Sequence, residues 1–349
     1  MTEPDRPRGA RPGEPAAGLA APLPVAGVPP SLPDETPSGT LPESADPGIL
    51  PRREELAELL RLALPVATVQ VGMMLMGVVD TVMVGQVSPQ DLAGVALGNI
   101  YFFASCVFGM GLLFSLDPLV SQAVGAGDRE AMARAVQRGL LLAAGLTVVA
   151  TVLLTLAGPV LTLLQQPPEV VPLAAGYARA TILGVLPFYV FLVLRQTLQA
   201  QGTVLPIVAA MAVANVANVG FNWVLVYGNL GMPALGAIGS GWASTLSRLL
   251  LAVGVLAASW TLLRDLVRPF RPASFRWRPI RRMLGLGAPI GAQMAMEYGA
   301  FGTAGLAMGL LGTLAVAGHQ VALNLSALTF MVPLGISQAT AVLVGRGVG

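Results

Sequence analysis

From residue 62 onward the chain is built of apolar runs long enough to cross a lipid bilayer, separated by short polar breaks. A bilayer core of ~30 Å needs ~20 helical residues to span it. Eight stretches meet that length: 63–85, 96–117, 137–164, 171–194, 204–227, 236–259, 285–309 and 317–343. In hydrocarbon every backbone N–H and C=O must find its partner within the protein, so single apolar runs of this kind are helices. The expected fold class is an all-α polytopic membrane protein. Charged residues make up only 11% of the chain, against ~25% in a soluble domain, too few to cover a water-facing surface. Pro65, Pro187, Pro289 and Pro333 fall inside runs, which membrane bundles tolerate where neighbours satisfy the freed carbonyls.

Charge and residue counts narrow the function. The formal net charge is +2, with no basic excess for nucleic acid. One cysteine, Cys106, cannot close an internal disulfide, and with one histidine, His319, it supplies no zinc site. A paired nucleophile and base is lacking as well, so an enzyme, including a membrane-embedded protease or lipid transferase, is not expected. No cofactor is expected.

Residues 1–50 differ from the rest. They hold twelve prolines, with Pro51 a thirteenth, and bury too little apolar surface to offset ordering entropy. A disordered cytoplasmic tail is expected there; a start codon downstream of it is the alternative. Arginines set the orientation. They precede the first run, sit between the second and third, and number seven between 264 and 282, while loops 86–95, 165–170, 228–235 and 310–316 carry no basic residue. All basic loops then fall on one side, which makes the N-terminus and residue 349 cytoplasmic.

An internal echo recurs at an offset of 224 residues: Pro65 with Pro289, Gly85 with Gly309, Ala93-Gly94 with Ala317-Gly318, Val124-Gly125 with Val348-Gly349. The predicted organisation is a six-helix unit over 51–260, an arginine-rich linker over 261–282, and the opening two helices of a second copy over 283–349. Repeated halves are common in secondary transporters.

Acids inside the runs are the candidate functional groups, since an ionised side chain at bilayer centre costs ~2.5–3.5 kcal/mol or more. Asp80 lies in Gly77-Val78-Val79-Asp80-Thr81. Asn215, Asn218 and Asn222 of the fifth run share one helical face by their i, i+3, i+7 spacing, and rise per residue puts Asn218, Asn222, Ser244 and Thr245 near the depth of Asp80. Together they form an oxygen-rich pocket for Na⁺ or a proton, with a polar packing cluster as the plain alternative. Glu297, twelve residues into the seventh run, is a second candidate proton carrier. Asp117, Gln196, Gln199 and His319 are candidates for the transport path. Arg179, Arg195 and Arg248 read as snorkelling or paired side chains. Met73, Met74, Met76, Met294 and Met296 offer a pliable binding wall or lipid-facing packing.

Several stretches resemble a known family. Val79–Gly85 (VDTVMVG), Gln122–Asp128 (QAVGAGD), Leu198–Gly202 (LQAQG), Asn218–Gly228 (NVGFNWVLVYG) and Ala317–Asn324 (AGHQVALN) look like motifs, in order, of the multidrug and toxic compound extrusion (MATE) family, nearest its NorM-like bacterial branch. The resemblance covers residues 55–349. It implies two six-helix lobes around a central cleft, of which this chain holds an N-lobe and the first two C-lobe helices, a chain truncated after helix eight of twelve. It implies export of amphiphilic, cationic compounds in exchange for Na⁺ or H⁺ by alternating access, in a bacterial inner membrane, as a monomer. The family's helix-one acid matches Asp80, its helix-five pair Asn218 and Asn222, its helix-six hydroxyl Ser244 with Thr245 beside it, its helix-seven acid Glu297, and the helix-two acid of some branches Asp117. Asp80, Asn218 and Asn222 are then the Na⁺ ligands, although some members carry Asp where Asn222 stands, leaving one less charge here. A lipid-linked oligosaccharide flippase of related architecture, or a non-transporting truncated membrane protein, are the alternatives; a flippase is expected to put several basic residues in its cleft.

Overall fold

The computed structural model describes residues 53–310 and 313–348. The expected tail over 1–50 and the side chain of His319 lie outside the described residues. Twelve α-helices and no strand occur among the described residues. They are α1 (Arg53–Gly85), α2 (Pro89–Phe114), α3 (Leu116–Gly125), α4 (Arg129–Thr155), α5 (Ala157–Leu163), α6 (Val171–Thr181), α7 (Val185–Ala200), α8 (Leu205–Leu225), α9 (Gly236–Ala258), α10 (Trp260–Val267), α11 (Trp277–Leu310) and α12 (Thr313–Val348). The eight predicted runs correspond to α1, α2–α3, α4–α5, α6–α7, α8, α9, α11 and α12. Seven stretches among the described residues are long and apolar enough to cross a membrane. The seventh predicted run is built as α11 but does not meet the same length and hydropathy test among the described residues.

Prolines place the breaks. A proline lacks an N–H and its ring clashes with the carbonyl four residues back. Pro118 stands at the third position of α3, and α2 ends at Phe114; Pro159 stands at the third position of α5, and α4 ends at Thr155. In both cases the helix stops at residue i−4 and restarts, so one membrane pass becomes two segments. Pro187 falls in the first turn of α7, after a 3₁₀ turn over Ile182–Gly184. Pro65, Pro289 and Pro333 lie within continuous helices.

Caps fix the ends opposite the arginine-bearing loops. Ser88 caps α2, its Oγ accepting from Asp91 N at 2.9 Å. The Asp91 carboxylate in turn accepts from Ala237 N at 2.8 Å, joining the N-termini of α2 and α9, where negative charge is favoured.

The two copies of the repeat meet in a symmetric way. Helix α1 packs along α12 and α2 along α11, which is the same pair seen from each copy. A Cβ on Gly111 would collide with the backbone of Gly291, and one on Gly335 would stand 2.8 Å from the Ala67 Cβ. Adding 224 to 111 gives 335, and to 67 gives 291, so these are one contact made twice. Gly345 packs on Ser121, where a Cβ would stand 2.6 Å from the serine Cβ, and 121 plus 224 is 345. The local axis relating the copies therefore passes between these two residues. Close backbone approach through small residues is how membrane helices pack without a hydrophobic driving force between them.

Replacing Gly111 by Leu should force α2 off α11 and lower stability by about 1–3 kcal/mol, whereas Gly145→Ala, which meets nothing within 4 Å, should be near neutral. Thermal unfolding in detergent checks both; equal melting for the two variants would refute the close seam.

Candidate functional site

Helices α1, α8 and α9 pack on one another and bring three polar side chains onto Asp80. Asn218 Nδ2 donates to Asp80 Oδ1 at 3.1 Å and Asn222 Nδ2 to the same oxygen at 2.7 Å. Ser244 Oγ donates to Oδ2 at 2.5 Å. Asp80 is 4% exposed and both asparagines are fully buried. The i, i+4 spacing of Asn218 and Asn222 stacks their amides one above the other, and Asn222 Nδ2 also donates to Asn218 O at 2.9 Å. Asn215, one turn earlier, is used differently: it donates to Gly72 O at 3.1 Å and Met211 O at 3.0 Å. That ties α8 to the stretch of α1 where Gly72 has no room for a Cβ beside Met211.

Three donors on one carboxyl group suit its ionised form, since charge-assisted hydrogen bonds are the strong ones. The side-chain amide oxygens (Oδ1) of Asn218 and Asn222 are buried and have no donor among the described residues. With the Asp80 carboxylate and the Ser244 hydroxyl they make an all-oxygen set of the kind hard cations take, and turning each amide over would present those oxygens to an ion. The residues present therefore fit a small cation with a single charged ligand. No group of three or more His, Cys, Asp or Glu gathers among the described residues, here or elsewhere.

A permanent cation stands beside this cluster. Arg248, one turn beyond Ser244 on α9, lays its guanidinium over the Phe102 ring at 3.8 Å from the centroid, a cation–π contact, and it interacts electrostatically with Asp80. The Tyr177 phenol lies beside Ser244. A cavity of about 70 Å³ is bounded by Asp80, Asn99, Ser244, Arg248 and the neighbouring Met and Phe side chains.

A much larger cavity, about 600 Å³, lies between α1, α2 and α7 on one side and α11 and α12 on the other. Its size suits a drug-sized ligand. Met73, Met74, Met110, Met294 and Met331, with four phenylalanines, make nearly half of the lining; Gln70, Arg195, Gln293, Glu297, Tyr298 and Gln338 supply the polar groups. Met73 and Phe103 face both cavities. Gly111, Gly291 and Gly335 fall between lining residues of their own helices (Met110 and Phe114, Ile290 and Gln293, Leu334 and Gln338), while Ala67 and the Ser121–Gly345 contact lie nearer the arginine-bearing end.

The predicted residues thus separate. Asp80, Asn218, Asn222 and Ser244 come together. Thr245 does not join them: its Oγ1 donates to Ala180 O at 2.8 Å. Glu297 is exposed in the large cavity, apart from the Asp80 cluster. Asp117 sits in the first turn of α3 and interacts electrostatically with Arg195. Gln196 and Gln199 are buried and line neither cavity; the Gln196 amide has no partner. Of the two expected accounts, snorkelling does not describe Arg195 and Arg248, which lie beside polar and acidic side chains inside the bundle. Arg195 is 2% exposed and donates to Gln70 Oε1 at 2.8 Å, and Arg248 is buried. Both start mid-helix on faces turned into the bundle, so their stems point inward. Met296 is 70% exposed and does not line the cavity wall. Asn99 and Gln70 were not singled out by sequence; a lone amide in an apolar run was the available signal.

The MatE family model matches residues 65–224 and 289–349; the two segments begin 224 residues apart, the offset of the internal echo. The chain is 36% identical over 301 residues to a probable multidrug resistance protein NorM of Bradyrhizobium diazoefficiens, covering 85% of this chain and 64% of that protein. It is 34% identical over 298 residues to the multidrug resistance protein MdtK of Edwardsiella ictaluri, covering 84% and 65%. It thus spans about 65% of the length of the curated relatives it matches. Solved structures with a similar fold include the eukaryotic MATE transporter AtDTX14 (TM-score 0.74, 22% identity, 84% of this chain and 66% of that one) and the Vibrio cholerae MATE transporter VcmN in its bent form (TM-score 0.70, 20% identity, 83% and 65%).

Asn222→Leu removes the 2.7 Å donor to Asp80 and should destabilise the fold by about 1.5–3 kcal/mol. Thermal unfolding of the purified chain checks this; an unchanged midpoint would mean the carboxyl does not depend on that amide.

Proposed function

This chain belongs to the MatE family, and on that premise we propose that it is part of a secondary transporter that exports amphiphilic, cationic compounds in exchange for Na⁺ or H⁺. The observation that carries the reading is the pairing of two adjoining sites: a drug-sized, Met- and Phe-lined cavity, and beside it a buried carboxyl with its own polar shell. Methionine and aromatic walls adapt to cargo of varied shape. Glu297 gives that cavity an acidic group for a cationic cargo. Asp80 is the coupling group, with Asn218, Asn222 and Ser244 as its remaining oxygen ligands. Met73 and Phe103 face both sites, so a change in occupancy at Asp80 reaches the cargo wall through shared side chains. Two ligands that exclude each other through such a wall give exchange by reciprocal linkage.

The names of the bacterial relatives, multidrug resistance proteins, support the cargo class, and a bacterial inner membrane is the setting that goes with them. No cofactor is part of the proposal, the coupling ion being cargo, and the working unit is a monomer. A lipid-linked oligosaccharide flippase is the less favoured reading: its pyrophosphate calls for several cleft cations, and Arg195 alone lines the large cavity among the described residues.

Asp80→Asn should lower ion-coupled dye efflux at least tenfold in cells expressing the protein, with dye binding to the purified chain retained. Efflux at the unaltered rate would remove Asp80 from the coupling role. Absence of efflux in both, with equal ion binding, would favour a non-transporting protein.

A further inference from the structure

The arginine-rich segment after α9 is not a loose connection. Gln137, fully buried on α4, uses its whole amide to hold it. Its Nε2 donates to Leu266 O at 3.0 Å and Pro269 O at 2.9 Å. Its Oε1 accepts from Arg271 N at 2.9 Å and Ser274 Oγ at 2.8 Å. Arg138, next along α4, adds a bond from Nη2 to Ala273 O at 3.1 Å. A buried amide with every donor and acceptor matched is a specific anchor, and what it fixes in place is an exposed, basic and aromatic surface.

The charges there are poorly balanced. The charged groups acting on Arg138 are Arg134 and Arg276, both positive. Arg134 has Glu130 and Asp128 as partners, whereas Arg276 has no ion pair among the described residues. The Arg138 Nε is buried without a hydrogen-bond partner. Beside these groups Phe270 and Phe275 are exposed with ring centroids 5.9 Å apart, and Trp277 is 65% exposed. Orientation by positive charge explains why arginines occur on this side of the membrane. It does not explain a docked backbone or aromatic rings held in the open.

We propose that this docked segment, with the start of α4, binds the headgroup phosphate of anionic phospholipids. Arg138 and Arg276 receive the phosphate oxygens, and Phe270, Phe275 and Trp277 lie at the boundary between headgroups and acyl chains. A planar guanidinium fork matches phosphate geometry, and aromatic rings favour that interfacial layer. The exposed rings favour a lipid over free phosphate, which has no use for apolar surface. The surface is separate from both cavities, so it stands whether or not the transport reading does.

The test uses the purified chain in phosphatidylcholine bilayers doped with spin-labelled phosphatidylglycerol or phosphatidylcholine, with relative association read by electron paramagnetic resonance. The native chain should prefer phosphatidylglycerol. Arg276→Gln, an exposed position that leaves the docked backbone untouched, should weaken that preference about fivefold, and Arg276→Lys should keep most of it. Adding Arg138→Gln should abolish the preference, with thermal unfolding confirming that the fold persists. An equal preference in the native chain and in Arg276→Gln overturns the proposal. So does full displacement of the lipid by millimolar inorganic phosphate together with indifference to Phe270→Ser/Phe275→Ser, which would mark a free-anion site.

Discussion

A carboxyl group can remain inside an apolar bundle only where its charge is answered within hydrogen-bond reach, and three helices converge to do this at Asp80. Burying an unpaired charge is far more costly than burying a satisfied one. The stagger of α1, α8 and α9 is therefore constrained: Asn218 and Asn222 must stand level with Asp80, and Ser244 must face it from the other side. Gly72 is the place where α1 and α8 come close enough for this, and Asn215 fastens them there. Arg248, stacked on Phe102, adds a fixed positive charge at the edge of the same cluster. The arrangement is polar and nearly closed, with room for one or two waters or an ion.

The opposite demand, contact without room for side chains, governs the meeting of the two repeat copies. There the four helices that begin the two repeat copies meet through Gly111, Gly291, Gly335 and Ala67, with Ser121 and Gly345 at the local axis. The methionine- and phenylalanine-lined cavity lies between the two copies at the level of Gly111, Gly291 and Gly335. It shares α1 with the Asp80 cluster, and Met73 and Phe103 face both.

Several parts of this were legible in the residues themselves. Run lengths located the membrane passes, and the i, i+3, i+7 spacing of Asn215, Asn218 and Asn222 announced a polar helix face. Other parts were not. Ser244 and Thr245 are adjacent, and which of them meets Asp80 depends on the rotation of α9 by some 100°, which no local pattern records. Arg195 and Arg248 have ordinary snorkelling stems; only the packing of α7 and α9 shows that their heads turn inward. The breaks after Phe114 and Thr155 follow from Pro118 and Pro159, but hydropathy alone merged or clipped those passes. Glu297 and Asp80 look alike as membrane acids, yet one lies open in a cavity and the other is enclosed.

The amino-acid sequence alone determined that the chain crosses a membrane as helices, that it contains a repeat at 224 residues, and that Asp80 needs polar company, because run length, self-similarity and the cost of a buried charge are local or one-dimensional properties. Tertiary structure alone decided which polar groups provide that company, which arginines are buried, where the cavity lies, and that Gln137 pins the basic segment against α4. Those outcomes depend on helix rotation and stagger, which are set by many weak contacts between residues far apart in the chain.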